Sequence, residues 1–147
     1  MNEPKTDTKT ETATRSIVVE REFPFPPQKI WRALTQPHLI AEWLMQNDFQ
    51  PVVGHRFNLR RTPQPDVNIV IDCQVLVVEP NKMLSYTWDA YGLESVVTMT
   101  LTPTSTGTRL RMEQSGFRRD QPQAYGGARG GWQQFLGDLE WVLARAE

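Results

Sequence analysis

The chain has 147 residues, and its 16 basic side chains almost balance its 17 acidic ones, for a net charge of -1. This length suits one domain with its own hydrophobic core, and the balanced charge argues against a nucleic-acid-binding protein, which normally carries a basic excess. Cys73 is the one cysteine, so an intramolecular disulfide is excluded, and no apolar run approaches the ~20 residues of a membrane helix.

The first 14 residues are polar and contain Thr, Lys, Glu and Asp, with no large apolar side chain after the initial methionine. Such a segment cannot bury enough surface to offset the entropy lost on ordering. It also lacks the apolar centre of a secretory signal. We therefore predict a mobile tail over residues 1–14 and a folded domain over residues 15–147.

Residues 16–23 have the alternation of a β-strand. Ile17, Val19 and Phe23 share one face because successive side chains of a strand point to opposite sides. Arg21 falls on the same apolar face. Either its stem packs while its guanidinium reaches water, or its charge points into a cavity.

Two short helices are predicted next, each opened by a proline, which suits a first helical turn. Over residues 27–34 the apolar side chains recur at helical spacing. The second helix begins at Pro37, and its apolar residues Leu39, Ile40, Trp43 and Leu44 keep the same rhythm. The pair has the shape of a helix–turn–helix, but it lacks a basic recognition helix, which argues against a DNA-reading role.

From residue 53 the apolar period changes to two, as in β-strands. Five further strands are predicted at residues 55–60, 67–78, 83–89, 95–102 and 108–115. Short turns, such as residues 62–66, separate them. Each strand has apolar side chains at alternate positions, which is typical of an antiparallel sheet with one buried face.

The last segment, residues 131–146, predicts a long amphipathic helix. Its apolar stripe consists of Trp132, Phe135, Leu136, Leu139, Val142 and Leu143. Before it, the pairs Gly126-Gly127 and Gly130-Gly131 predict a loose loop, which acts either as a gate or as a plain connection. The order of elements predicts an α+β fold: a curved antiparallel sheet of about six strands wrapped round a long C-terminal helix, with two short helices after the first strand.

Several short motifs stand in order along residues 16–143. They are Pro27-x-x-x-Trp31-x-Ala33-Leu34, Pro37-x-x-Ile40-x-x-Trp43, Val78-Glu79-Pro80 before Leu84-x-Tyr86-x-Trp88, Val97-Thr98-x-Thr100-Leu101, Gly107-Thr108-Arg109-Leu110, Ser115-Gly116-Phe117 and Gly131-Trp132. Together they resemble a helix-grip domain of the START-like superfamily (Bet v 1-like, SRPBCC). They are most similar to its AHSA-type branch, named for an activator of a heat-shock chaperone ATPase.

The resemblance implies a small, cytoplasmic protein with a cavity between the sheet and the long helix. Members of the superfamily bind lipids, hormones, polyketides and other apolar molecules, and some catalyse cyclisation or dehydration. The branch name also implies a possible chaperone partner and a link to the stress response. None of these activities transfers by fold alone.

The residues themselves show no reaction centre. His38 and His55 lie far apart, without Cys or Glu at ligand spacing, so no metal site is predicted. Cys73 falls on the apolar face of a strand, where a buried hydrophobic role is expected rather than a reactive thiolate. Asp89, Glu94 and Glu113 are not brought together by the pattern. We therefore predict no catalytic residue and no cofactor.

An aromatic- and Met-rich interior with a few polar side chains remains, which is typical of a ligand pocket. The candidate cavity-lining residues are Trp43, Phe57, Leu59, Tyr86, Trp88, Val97, Met99, Met112, Phe117, Trp132 and Phe135. The candidate polar groups are Arg21, His55, Gln114 and Tyr125. The alternative is a close-packed core. Gln114 on an inner face needs a partner, which would be a neighbour, a water or a ligand.

The leading hypothesis is a non-enzymatic domain, monomeric or homodimeric, that binds a small apolar or aromatic molecule. A second hypothesis is a chaperone-activator-like interaction module that uses an exposed face. The third is a cavity enzyme, of cyclase or hydrolase type, which requires an acid or base within the cavity.

Overall fold

The computed structural model describes residues 14–145. Its strands are β1 (Thr14–Phe23), β2 (Gln46–Asn47), β3 (Arg56–Gln64), β4 (Val67–Glu79), β5 (Met83–Ala90), β6 (Leu93–Pro103) and β7 (Thr108–Arg118). Its helices are α1 (Pro27–Thr35), α2 (Pro37–Trp43) and α3 (Pro122–Arg145). The two short helices follow β1, and the long helix comes last, as the sequence predicted.

The strands form one sheet in the order β1-β7-β6-β5-β4-β3-β2, in which every neighbouring pair is antiparallel. Strands β3 to β7 are neighbours in chain order, and β1 closes the far side by pairing with β7. Register shifts interrupt the β1–β7, β3–β4 and β4–β5 pairings, and such irregularities bend strands. The predicted α+β helix-grip architecture is confirmed.

The core lies between the inner face of this sheet and α3. The helix buries Trp132, Leu136, Leu139, Val142 and Leu143, which all belong to the predicted apolar stripe. Its partners include β1, β7 and both short helices. Burial of this stripe is the main force that holds α3 on the sheet.

The prediction of about six strands missed β2. This strand has two residues, Gln46 and Asn47, which pair with Arg60 and Leu59 of β3. A pairing this short leaves no alternation in the sequence. The β3 strand is also longer than predicted, because residues 62–64 continue it instead of forming a turn.

The prediction of a loose loop before residue 131 was wrong, because α3 begins at Pro122 and includes all four glycines. Each glycine weakens a helix by about 1 kcal/mol relative to alanine, but tertiary contacts outweigh this penalty. Tyr125 packs edge-to-face on Phe117 with 5.5 Å between ring centroids. The Arg15 guanidinium lies 4.0 Å from the centroid of the Tyr125 ring.

Two glycines sit where the backbone permits no side chain. A Cβ on Gly107, in the turn before β7, would lie 2.0 Å from the Phe23 carbonyl oxygen. Gly116 within β7 has a φ of +116°, and its Cβ would lie 2.5 Å from the Glu94 carbonyl oxygen. The β1–β7 register shifts beside Gly116, which marks it as the extra residue of a β-bulge.

The predicted mobile tail lies almost entirely outside the described residues. Its last residue, Thr14, is the first residue of β1. Within residues 14–145, none of the helices combines the length and apolar character that a membrane crossing requires.

Candidate functional site

A cavity of about 500 Å³ lies between the sheet and the first half of α3. Its sheet wall comes from β3 to β6 and includes Arg61, Ile69, Ile71, Trp88, Ala90 and Leu93. Its helix wall consists of Gln123, Ala124, Gly127, Ala128, Gly131, Trp132 and Phe135. Met45, after α2, and Gln114 of β7 complete the lining together with Tyr91.

Four of the predicted cavity residues line this space: Trp88, Gln114, Trp132 and Phe135. The rings of Trp88 and Trp132 lie 5.4 Å apart between centroids. Phe135 meets Trp132 edge-to-face, also at 5.4 Å. These three rings give the cavity a continuous aromatic side. Tilted and edge-to-face pairs such as these are favoured arrangements of aromatic rings.

Most of the other predicted lining residues are buried in close packing away from this cavity. They are Trp43, Phe57, Leu59, Tyr86, Val97, Met99, Met112 and Phe117. Trp43 also donates its indole N–H to the Ala33 carbonyl at 2.8 Å, which ties α2 to α1. The two alternatives from the sequence are therefore both present: a packed core at one end and an open space at the other.

Three predicted polar groups lie elsewhere. Arg21 reaches over the side of α3, where its Nη1 lies 3.2 Å from the Glu140 carboxylate. The His55 ring contacts the Asp48 carbonyl at 2.9 Å through Nε2 and stacks on Phe57. Tyr125 is occupied by the Phe117 and Arg15 contacts given above. None of the three is among the residues that line the cavity.

Gln114 is fully buried and is held by a chain of directed hydrogen bonds. The Trp132 indole N–H donates to Gln114 Oε1 at 2.8 Å. Because an indole N–H can only donate, the amide oxygen must face Trp132. Gln114 Nε2 then donates to Ser95 Oγ at 2.9 Å, and Ser95 Oγ donates to the Trp88 carbonyl at 2.7 Å. This relay joins α3 to three adjacent strands beneath the cavity.

The α3 side of the cavity, its roof, carries few side-chain atoms because two of its residues are glycines. Gly127 and Gly131 lie one helical turn apart and both line the cavity. A Cβ added at Gly127 would meet nothing within 4 Å. The space therefore owes part of its volume to two missing side chains.

Arg61 was not predicted as a site residue. Phe57 and Leu59 of β3 are buried on the inner face, and strict alternation places Arg61 on that same face. Arg61 lines the cavity next to Ile69, its cross-strand partner. The alternation of β3 was the available signal.

A second depression of about 530 Å³ lies elsewhere on the domain, between the start of α1 and the β4–β5 turn, and is lined by residues such as Pro27, Lys82 and Thr102. Among residues 14–145, no group of three His, Cys, Asp or Glu side chains is placed to hold a metal ion. The cavity under α3 contains the more deeply buried polar and aromatic groups, so it is the candidate site.

The buried Cys73 thiol and Tyr86 phenol should make the folding stability depend on pH in the alkaline range. Burial raises the pKa of the Cys73 thiol far above its ordinary value, with smaller contributions from nearby carboxylates such as Asp89. Burial likewise raises the pKa of the Tyr86 phenol. Both groups stay protonated in the folded protein, whereas the unfolded chain loses these protons from about pH 9–10 upward.

Because the unfolded state releases protons first, the free energy of unfolding should fall as pH rises above about 9. The expected slope is up to about 1.4 kcal/mol per pH unit for each group. Urea unfolding between pH 7.5 and 10.5 measures it, with Cys73→Ala and Tyr86→Phe as variants that should each flatten the decline. Equal slopes in the wild type and both variants would contradict the prediction.

Comparisons with known proteins agree with this architecture. A family model described as Activator of Hsp90 ATPase homolog 1-like protein matches residues 24–144. The crystal structure of protein MLL2253 from Mesorhizobium loti has 61% sequence identity and a TM-score of 0.84, over 90% of this chain and 99% of that chain. No curated protein matches the chain.

More distant solved structures share the fold. Protein BH1534 from Bacillus halodurans has 27% identity and a TM-score of 0.75, over 90% of this chain and 99% of that one. Protein CV1439 from Chromobacterium violaceum has 23% identity and a TM-score of 0.77, over 89% and 99% respectively. Since the family match runs from the end of β1 to the end of α3, the chain belongs to the family of Activator of Hsp90 ATPase homolog 1-like proteins.

Proposed function

We propose that this protein binds a small molecule with an apolar or aromatic body in the cavity beneath the first half of α3. The observation that carries the proposal is the cavity itself, with a volume of about 500 Å³. Ligand sites usually measure about 300–1,000 Å³ and combine apolar walls with a few polar groups. The walls here have that composition.

The aromatic side formed by Trp88, Trp132 and Phe135 would supply most of the binding energy. Burying apolar surface contributes about 25 cal/mol per Å², and flat rings offer large areas at little entropic cost. Gln114 would supply direction. Its Nε2 carries two hydrogens, and with one donated to Ser95, the second would serve an acceptor on the ligand.

A pair of neighbouring glycines offers a matched test of this proposal. Gly127 lines the cavity and Gly126 does not, while a Cβ at either position meets nothing within 4 Å. Leucine at either position should strengthen the helix to a similar degree. Only the Gly127→Leu side chain should occupy the cavity.

The measurement is a fluorescence titration with N-phenyl-1-naphthylamine, a neutral probe of apolar sites. We expect Gly127→Leu to weaken probe binding about tenfold or more, which corresponds to about 1.4 kcal/mol, and Gly126→Leu to leave it unchanged. Thermal unfolding should show that both variants are at least as stable as the wild type. Equal binding by the two variants would place the probe elsewhere, and no binding to the wild type would contradict the proposal.

A protein-interaction role is the second candidate, favoured by the description of the matching family. The outer side of α3 would provide its surface, since Trp141 is 66% exposed there and is covered on one face by Arg145. A pull-down of the Hsp90 middle domain separates this role from ligand binding. The wild type should capture that domain and Trp141→Ala should capture less of it.

Cys73, the lone cysteine, is free and buried, which fits a reducing compartment such as the cytoplasm.

A cavity enzyme receives less support from the site. The lining residues within the described part of the chain include no Asp, Glu, His or Cys. Acid–base and nucleophilic catalysis use mainly those side chains. Binding without chemistry is therefore the function that this cavity supports best.

A further inference from the structure

We infer that Arg61 makes the cavity selective for ligands that carry an anionic end, such as a carboxylate, on an apolar or aromatic body. This inference rests on the proposed binding function and narrows the class of ligand. Arg61 lies on the inner face of β3, after the buried residues Phe57 and Leu59. The chain then has a charged side chain where the face would otherwise stay apolar.

The charge of Arg61 is available to a ligand. Among the ion pairs and side-chain hydrogen bonds of residues 14–145, none involves the Arg61 guanidinium. Its neighbour Arg60 differs, because Nη1 of that residue contacts Asn58 and lies 3.9 Å from the Asp48 carboxylate. Arg60 is not among the residues that line the cavity.

Nothing else in the cavity wall offsets this positive charge. The lining residues of the described chain include no carboxylate. Gln123 and Ala124 at the start of α3 border the same space, and the first turn of a helix adds partial positive charge. An anion near Arg61 would therefore meet attraction without a competing negative group.

The remaining walls define the other half of the ligand. Ile69, Ile71, Trp88 and Leu93 are apolar, so a charge placed deep in the cavity would lose its hydration without compensation. A guanidinium at the edge binds a carboxylate through two parallel N–H bonds. The favoured ligand is thus amphipathic, with its ring or chain inside and its carboxylate at the half-solvated edge.

Two probes of the same shape test the inference: 2-naphthoate, which is anionic at pH 7, and 2-naphthamide, which is neutral. Titration by calorimetry, or by displacement of N-phenyl-1-naphthylamine, gives both dissociation constants. We expect the wild type to bind the acid about tenfold more tightly than the amide, as a charge-assisted hydrogen bond allows. Raising the salt concentration should weaken the acid alone.

Three variants complete the experiment. Arg61→Gln should weaken 2-naphthoate about tenfold and leave 2-naphthamide unchanged, whereas Arg61→Lys should retain part of the preference. Arg60→Gln, the adjacent residue on the other face, should change neither. Equal binding of acid and amide by the wild type, or an unchanged acid affinity in Arg61→Gln, would overturn the inference and leave the proposed function standing. Failure of both probes to bind the wild type would overturn the inference, and failure of N-phenyl-1-naphthylamine to bind as well would overturn the proposed function too.

Discussion

Gly107→Ala should cost about 4 kcal/mol or more of folding free energy and lower the melting temperature by more than about 10 °C. The alanine Cβ would lie 2.0 Å from the Phe23 carbonyl oxygen and 2.9 Å from the backbone of residues 24 and 25. All three contacts are with backbone, which cannot turn aside as a side chain can. The strand pair Phe23 and Thr108 starts immediately beyond, so the junction of β1 and β7 would have to move.

Gly126→Ala is the matched control for this prediction. Its Cβ would meet nothing within 4 Å, and alanine is the better helix former by about 1 kcal/mol. The control should therefore be neutral or more stable than the wild type in thermal and urea unfolding. A Gly107→Ala protein within about 1 kcal/mol of the wild type would show that the turn relaxes freely, contrary to the prediction.

The second large effect on stability concerns the buried hydrogen-bond chain that links Trp132, Gln114 and Ser95. Gln114→Met keeps the length of the side chain but removes the acceptor of the Trp132 indole N–H. A buried donor without a partner costs about 1–3 kcal/mol, and we expect a loss of roughly 2–3 kcal/mol in urea unfolding. Ser95 keeps its own bond to the Trp88 carbonyl, so the strands should remain paired.

A double-mutant cycle separates this bond from packing. Trp132→Phe removes the donor and leaves the Gln114 oxygen unpaired, while the double variant Gln114→Met/Trp132→Phe removes both partners together. The double variant should lose about 1–2 kcal/mol less than the sum of the single losses. Simple additivity would mean that the 2.8 Å contact between Trp132 and Gln114 contributes nothing to stability.

The fold was predictable because its signals are periodic and long. The strands β4 to β7 and the stripe from Trp132 to Leu143 were predicted close to their observed positions. Elements whose formation depends on contacts with other elements were not predicted. In the first turns of α3, Tyr125 contacts Phe117 of β7 and Arg15 of β1, and local helix propensity cannot reveal such contacts between elements. The pairing of β2 is likewise decided by its neighbour β3.

The site was predictable only in part, for a related reason. Alternation identified Trp88 and Gln114 as inward-facing, and it also applies to Arg61. It could not show which inward residues pack and which face open space, since that depends on where α3 leaves the sheet. Met99 and Met112 are 1% and 0% exposed, whereas Trp88 on a neighbouring strand lines the cavity.

The bare roof over the cavity means that the size of the cavity can change without any change in the scaffold. A single substitution at position 127 or 131 would fill part of the cavity with the new side chain, while the backbone of α3 stays in place. Proteins with the same sheet and helix can therefore differ in cavity size through two residues alone. For the proposed binding function, positions 127 and 131 are the ones that set the size of the ligand admitted.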